Sequence, residues 1–313
     1  MPELPEVEVV RRGLLPYVLW RRIEEVQVVD SRIVRRHGPG PADFAARIQG
    51  RRIDAIARRG KFLWWELDGD EALIVHLGMS GQLRVRNGHG HGHSAGITAG
   101  RLAPEHEGVA SDPERHRRLS IFMHDGDRVD LIDQRMFGGM WISPLIATPD
   151  GALGGDGAAG PRIPLAASHI ARDVLDPAAD VQGAARAWRT RKAPIKSLLL
   201  AQDLLSGIGN IYADEALWTA RVHPLTPGCH LSQRAANAIV RGCAEVMQRA
   251  LSVGGTSFDA LYVNVYGRRG YFAQSLNAYG RDRHPCPRCG TLIVRERFMN
   301  RSSHFCPRCQ RRR

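Results

Sequence analysis

The sequence predicts an α+β multidomain protein: a short N-terminal helix with an antiparallel β-sandwich, then a helical domain, then a four-cysteine zinc ribbon. Three observations predict it. Seven or so short β-rich stretches crowd the first 143 residues, the hydrophobic period turns helical beyond residue 184, and two C-x2-C pairs occupy the last 28 positions. At 313 residues, 43% hydrophobic and 24% charged, the chain suits about two domains and is not a disordered polyelectrolyte. The expected boundaries are 1–146 for the sandwich domain, 147–183 for a glycine-rich linker, 184–272 for the helical domain and 273–313 for the ribbon.

Residues 5–14 read as the helix, with Val7, Val10 and Leu14 on one face and Pro5 in the first turn. Glu6 and Glu8 at its start and Arg11 and Arg12 at its end suit the helix dipole. Strands are expected at 23–29, 52–57, 62–67, 72–77, 82–86, 119–124 and 128–133, the last two joined by an Asp-Gly-Asp hairpin turn. Residues 87–113, glycine- and histidine-rich without apolar periodicity, read as a surface insertion; flexible spacing argues against a dedicated metal site at His89, His91 and His93. Residues 149–164, with GALGGDGAAG inside, read as an interdomain linker. Helices are then expected at 184–205, 211–220 and 232–251, the third with Ser232 as N-cap, and Cys229 and Cys243 as ordinary small residues. No stretch approaches the ~18 apolar residues of a membrane span, and the acidic start MPELPEVEVV is unlike a signal peptide.

Cys286, Cys289, Cys306 and Cys309 form two pairs sixteen residues apart, the pattern of a tetrahedral all-cysteine zinc site joined by a β-hairpin. Four thiolates close the coordination sphere, so one zinc is structural, and paired cysteines of this spacing indicate a reducing compartment. From residue 281 onward ten arginines face only Asp282 and Glu296, placing +8 of the net +12 in the last 33 residues. A compact basic platform of this kind suits an anionic polymer such as nucleic acid, with Arg301 its foremost candidate.

Other positions carry chemistry of their own. GIGN before a helix presents backbone N–H groups and the Asn210 amide as a phosphate site. Lys61, in a turn beside Phe62-Leu63-Trp64-Trp65, is held in a defined place. Met79 and Phe137 are apolar side chains in glycine-flanked loops, suited to wedge into unstacked DNA with Arg135 alongside. Initiator methionine before Pro2 is normally removed, which leaves a secondary amine; an α-amine pKa of about 7.7–8 keeps much of it nucleophilic at neutral pH. Glu3 beside it is a carboxyl able to serve as general acid.

PELPEVE at 2–8, RRGKFLWWEL at 58–67, HLGMSGQLR at 76–84, DQRMFGG at 133–139, GIGNIYADEAL at 207–217, GYFAQSLNAYGR at 270–281 and the CPRC repeats stand in that order. Together they resemble the formamidopyrimidine-DNA glycosylase family, bacterial enzymes that excise oxidised purines. The resemblance covers nearly the whole chain outside 87–113, longer here than the family usually has, and 149–164, unusually glycine-rich. It implies a helix–two-turn–helix form for the helical domain and a bifunctional DNA glycosylase/AP lyase of base excision repair. Pro2 would be the imine-forming nucleophile, Glu3 the proton donor, Lys61 the residue of β-elimination and Arg301 that of δ-elimination. Met79, Arg135 and Phe137 would fill the void left by the extruded nucleotide, and His76, His116, Arg191 and Asn210 would contact DNA. The expected partner is double-stranded DNA bearing oxidised or abasic lesions, met by a monomer without membrane attachment in the bacterial cytoplasm at the nucleoid. Two alternatives remain: an oxidised-pyrimidine glycosylase like endonuclease VIII, which typically has glycine where this chain has Leu4, and a damage-binding paralogue that does not cut. A silent paralogue should lose Pro2, Glu3 or Lys61, all of which are present.

Overall fold

The computed structural model describes residues 2–86, 113–255, 265 and 272–312. The insertion with His89, His91 and His93 lies outside the described residues apart from its last, Pro113. The chain forms two compact units, Met1–His169 with Leu251–Tyr271, and Ile170–Ala250 with Phe272–Arg313.

The first unit begins with α1 (Leu4–Val18). Leu4, Val7, Leu14 and Val18 are buried along one stripe, and Glu3 and Glu6 make a reciprocal capping box at the N-terminus. The helix runs one turn past the expected end at residue 14, through Pro16. A proline near a helix end removes a single backbone bond, and burial of Val18 offsets that loss.

Two antiparallel sheets follow. One has the order β1 (Ile23–Val28), β6 (Arg117–Met123), β7 (Arg128–Ile132) and β5 (Gln82–Arg86). The other has the order β2 (Ile53–Arg59), β3 (Phe62–Leu67), β4 (Glu71–His76), β8 (Gly139–Ala147) and β9 (Arg162–Pro164). Alternate residues of both sheets meet those of α1 in a common core, among them Ile56, Leu63, Trp65, Val75, Leu119, Ile121 and Leu131. α2 (Pro41–Ile48), β8 and β9 are elements that the periodicity of their segments does not announce.

The opposite face of the five-stranded sheet is also buried, through Trp64, Ile74, Trp141 and Ile163. Both faces are covered because residues 149–164 are not a linker. Asp156 exchanges two backbone hydrogen bonds with Arg58, each 2.9 Å, so the glycine-rich segment lies against β2 as a strap. Its composition is explained by contact. A Cβ on Gly155 would run into the Arg58 carbonyl and come within 2.9 Å of the Trp64 ring. Gly157, at φ +84°, lies against the Ile56 carbonyl and the Arg11 guanidinium.

In the second unit the single helix expected at 184–205 is two short ones, α3 (Val181–Trp188) and α4 (Ile195–Leu200). Pro194 is extended, with ψ 137°, and a proline disfavours helix in the residue before it. The Gln202 side chain then ties the glycine turn: Gly207 N donates to its Oε1 and its Nε2 donates to Ile208 O, both 2.8 Å. That turn delivers α5 (Asn210–Ala220), whose residues 212–218 are all buried. α6 (Gln233–Ser252) starts as expected, with Ser232 Oγ accepting from Ala235 N at 3.2 Å. β10 (Val294–Phe298) and β11 (Arg301–Phe305) form the ribbon hairpin. No helix among the described residues is long and apolar enough to cross a membrane.

Candidate active site and nucleic-acid interface

Pro2 and Glu3 immediately precede α1, and both are buried. Glu3, only 3% exposed, is the N-cap; its backbone N–H donates to Glu6 Oε2 at 2.9 Å. The end of the chain is therefore fixed at a helix N-terminus, where the dipole favours a carboxylate. Five residues on, Glu8 binds Arg58 through a 3.0 Å contact from Nε, and Arg58 Nη1 donates to Gly60 O at 3.1 Å. α1 is thus tied to the β2–β3 turn that carries Lys61. Arg58 is 2% exposed.

His76 ends β4, with Phe62 packed on its ring at a centroid distance of 5.4 Å. Burial, reinforced by the neighbouring Arg36, Arg35 and Lys61 charges, holds its imidazole down to about 4, so it is neutral at pH 7. Its buried Nδ1 has no hydrogen-bond partner among the described residues. Arg36 stacks over Trp141 at 4.7 Å from the ring centroid. These groups surround His76 with positive charge that suits a phosphate. Met79 and Phe137, 40% and 52% exposed, project from neighbouring loops, with Arg135 two residues before Phe137. His116 closes a 3-10 turn before β6, and its Nδ1 lies 3.3 Å from Arg118 Nη2.

In the second unit Asn210 is the first residue of α5, and its Nδ2 donates to Ser302 O at 3.0 Å. Arg301, exposed at the start of β11, is the neighbour of that carbonyl. Asn210 and the ribbon residue Arg301 are therefore mounted together. Lys196, fully buried, makes the same joint rigid. Its Nζ contacts Asp214 Oδ1 at 2.6 Å and donates to Ser302 O at 2.9 Å and Ser303 Oγ at 3.1 Å. Asp214 Oδ2 accepts from His304 N at 2.8 Å. Arg191 stands apart from this cluster, in an ion pair of 2.6 Å with Asp203. Sequence reasoning passed over Lys196 and Asp214; the available signal was a lysine and an acid inside otherwise apolar helical runs. The Sγ atoms of Cys286, Cys289, Cys306 and Cys309 all lie within 4.8 Å of one another. That donor set and spacing fit one tetrahedral zinc with no open position.

Comparison with known proteins agrees with this architecture. Residues 1–140 match the N-terminal domain model of formamidopyrimidine-DNA glycosylase, 170–261 its H2TH domain, and 283–312 the zinc finger found in FPG and IleRS. These matches define a helix–two-turn–helix, zinc-finger DNA glycosylase. The chain is 48% identical over 320 residues to formamidopyrimidine-DNA glycosylase of Thermobifida fusca, covering 100% of this chain and 98% of that protein. It is 46% identical over 319 residues to that of Mycobacterium tuberculosis, covering 100% and 99%. Among solved structures, the MutM (Fpg) protein of Thermus thermophilus aligns with a TM-score of 0.76 at 31% identity, covering 99% of this chain and 98% of that one. Lactococcus lactis Fpg in complex with abasic-site DNA aligns with a TM-score of 0.76 at 27% identity, covering 99% and 100%. The chain belongs to the formamidopyrimidine-DNA glycosylase family, whose members join base excision to AP lyase cleavage in base excision repair.

Proposed function

We propose that this enzyme removes oxidised purines, 8-oxoguanine and formamidopyrimidines, from duplex DNA and then cuts the strand at the abasic site. With Met1 removed, the Pro2 amine attacks the anomeric carbon of the damaged nucleotide. The base leaves and the sugar ring opens as Glu3 passes on protons, one of them regained from the Pro2 N–H, and a cationic iminium joins the sugar to Pro2. Lys61 serves β-elimination and Arg301 δ-elimination, leaving a one-nucleotide gap. The reacting carbon cannot be reached inside a stacked duplex, so the nucleotide is extruded. Met79, Arg135 and Phe137 occupy the vacated space, while His76, His116, Arg191 and Asn210 hold the backbone. Zinc, held by the four cysteines, supplies folding energy to the ribbon and no step of the reaction. The enzyme works as a monomer on DNA in the bacterial cytoplasm, at the nucleoid.

The observation that carries this reading is the burial of Glu3 as the N-cap beside Pro2, which fixes an amine and an acid at one helix start. Borohydride should trap the mature protein on an 8-oxoguanine duplex, with the adduct mapping to the N-terminal peptide. Pro2→Gly should cripple base excision. Full activity in that variant, or an adduct elsewhere in the chain, would place the nucleophile at another residue.

A further inference from the structure

Met79 and Phe137, two of the exposed apolar side chains of the first unit, are carried by segments that share one buried carboxylate. Asp133 has no solvent exposure. Its Oδ1 accepts from Ser80 Oγ at 2.6 Å and from Arg135 N at 3.1 Å, and its Oδ2 accepts from Gly138 N at 2.7 Å. Arg135 N also donates to Ser80 Oγ at 3.2 Å. One side chain therefore binds the residue after Met79 and both flanks of Phe137. The Asp133 backbone adds a third segment: its N–H donates to His116 O and its carbonyl accepts from Arg118 Nε, both at 2.9 Å. From the other side, Arg35 donates through Nη1 to Gly138 O at 2.8 Å and through Nη2 to Phe137 O at 3.4 Å. The Phe137 loop is gripped by an anion at its N–H groups and by a cation at its carbonyls.

We propose that Asp133 is a positioning residue that joins the Met79 turn and the Phe137 loop into one rigid wedge, so that both side chains enter the duplex together. The proposal rests on the reading of Met79 and Phe137 as the residues that fill the vacated stack. Glycine-flanked loops left independent would have to be ordered at each encounter with DNA, at a cost in binding and in the opening of the stack. A carboxylate is required because both of its oxygens accept. An asparagine keeps the shape but must turn its NH2 toward one of the two sets of donors, which uncouples one loop from the other.

The test compares two substrates for the full-length, zinc-loaded protein: a duplex containing 8-oxoguanine, and a single strand carrying a preformed abasic site, which has no stack to fill. In Asp133→Asn, duplex excision should fall about tenfold or more while single-strand scission stays within about twofold, as expected for loss of a charge-assisted bond that acts only through the wedge. Equal losses on both substrates would show that Asp133 merely keeps the protein folded and would overturn the proposal; so would unchanged duplex excision. Ser80→Ala, a milder change, should lower duplex excision alone and combine with Asp133→Asn less than multiplicatively. Fully multiplicative losses would show that the two act separately and would also overturn it. The Met79→Ala/Phe137→Ala double variant separates the two levels. Full duplex activity there would remove the wedge reading and this proposal together. Loss there, with ordinary behaviour in Asp133→Asn, would remove the proposal alone.

Discussion

Glu8 shows how a buried charge is made tolerable. It is completely enclosed, yet it faces Arg11 at 2.8 Å, Arg12 at 2.6 Å and Arg58 at 3.0 Å. Burial by itself pushes the carboxyl upward; hydrogen bonds and charge from Arg11 and Arg58 overcome it and hold the group down to about 2, from 4.5. Because the folded carboxyl ionises below its unfolded counterpart, its contribution to stability is complete above pH 4.5 and is lost as pH falls toward 2. Glu8→Gln leaves two buried guanidiniums with the longer carboxylate contacts to Asp156, at 3.5 and 3.8 Å, and should cost about 3 kcal/mol in urea unfolding at neutral pH, the scale of a broken buried pair. That deficit should shrink as the pH is taken from 4.5 to 2. A constant deficit over that range would mean that shape, not charge, carries the effect. The same contrast separates what could be read in advance. The four cysteines announce their chemistry by residue type and spacing, whereas the roles expected of Pro2 and Glu3 come from the resemblance. Asp133, Asp214 and Lys196 each bind a partner far away in the chain, Ser80, Ser303 and Ser302 respectively; a local pattern can flag such a charge but cannot name that partner.

Among the elements, strand positions were legible because alternation and turn residues are local properties, and β3 and β5 have the expected bounds. The strap was not. Glycine and alanine in low-complexity runs mark flexible linkers in most chains, and here they mark close packing on β2. Small side chains serve both purposes, and only the presence of an apolar face beneath decides between them. α3 and α4 were merged for a similar reason: their buried stripes share one helical period across a proline that the pattern of apolar residues does not feel. The strap gives a direct check. Gly155→Ala should destabilise the first unit by about 2 kcal/mol or more through overpacking against Arg58 and Trp64. Gly151→Ala, in the same segment with nothing within 4 Å, meets only the strain of its φ of +66° and should cost about 1 kcal/mol. Equal, small losses in thermal unfolding would show that the segment behaves as a linker after all.

For the whole molecule, folding energy and DNA affinity have separable sources. The first unit has its own sandwich core, whereas the ribbon packs few apolar groups besides its cysteines, Ile293, Ala278 and Trp218. Arg288 adds to that joint, stacked 3.6 Å from the Trp218 ring centroid and donating to its carbonyl at 2.5 Å. A chelator should therefore abolish DNA binding while circular dichroism retains most of the β signal; loss of both together would show that the zinc site supports the entire fold. The connectivity has a further consequence. Val265 packs in the core of the first unit and its carbonyl accepts from Val85 N at 3.2 Å, although α3 to α6 all precede it in the chain. During translation the first unit must wait, unsealed, while four helices of the second are synthesised. A ribosome stalled anywhere before codon 265 would leave a fragment lacking this core residue, however complete its strands.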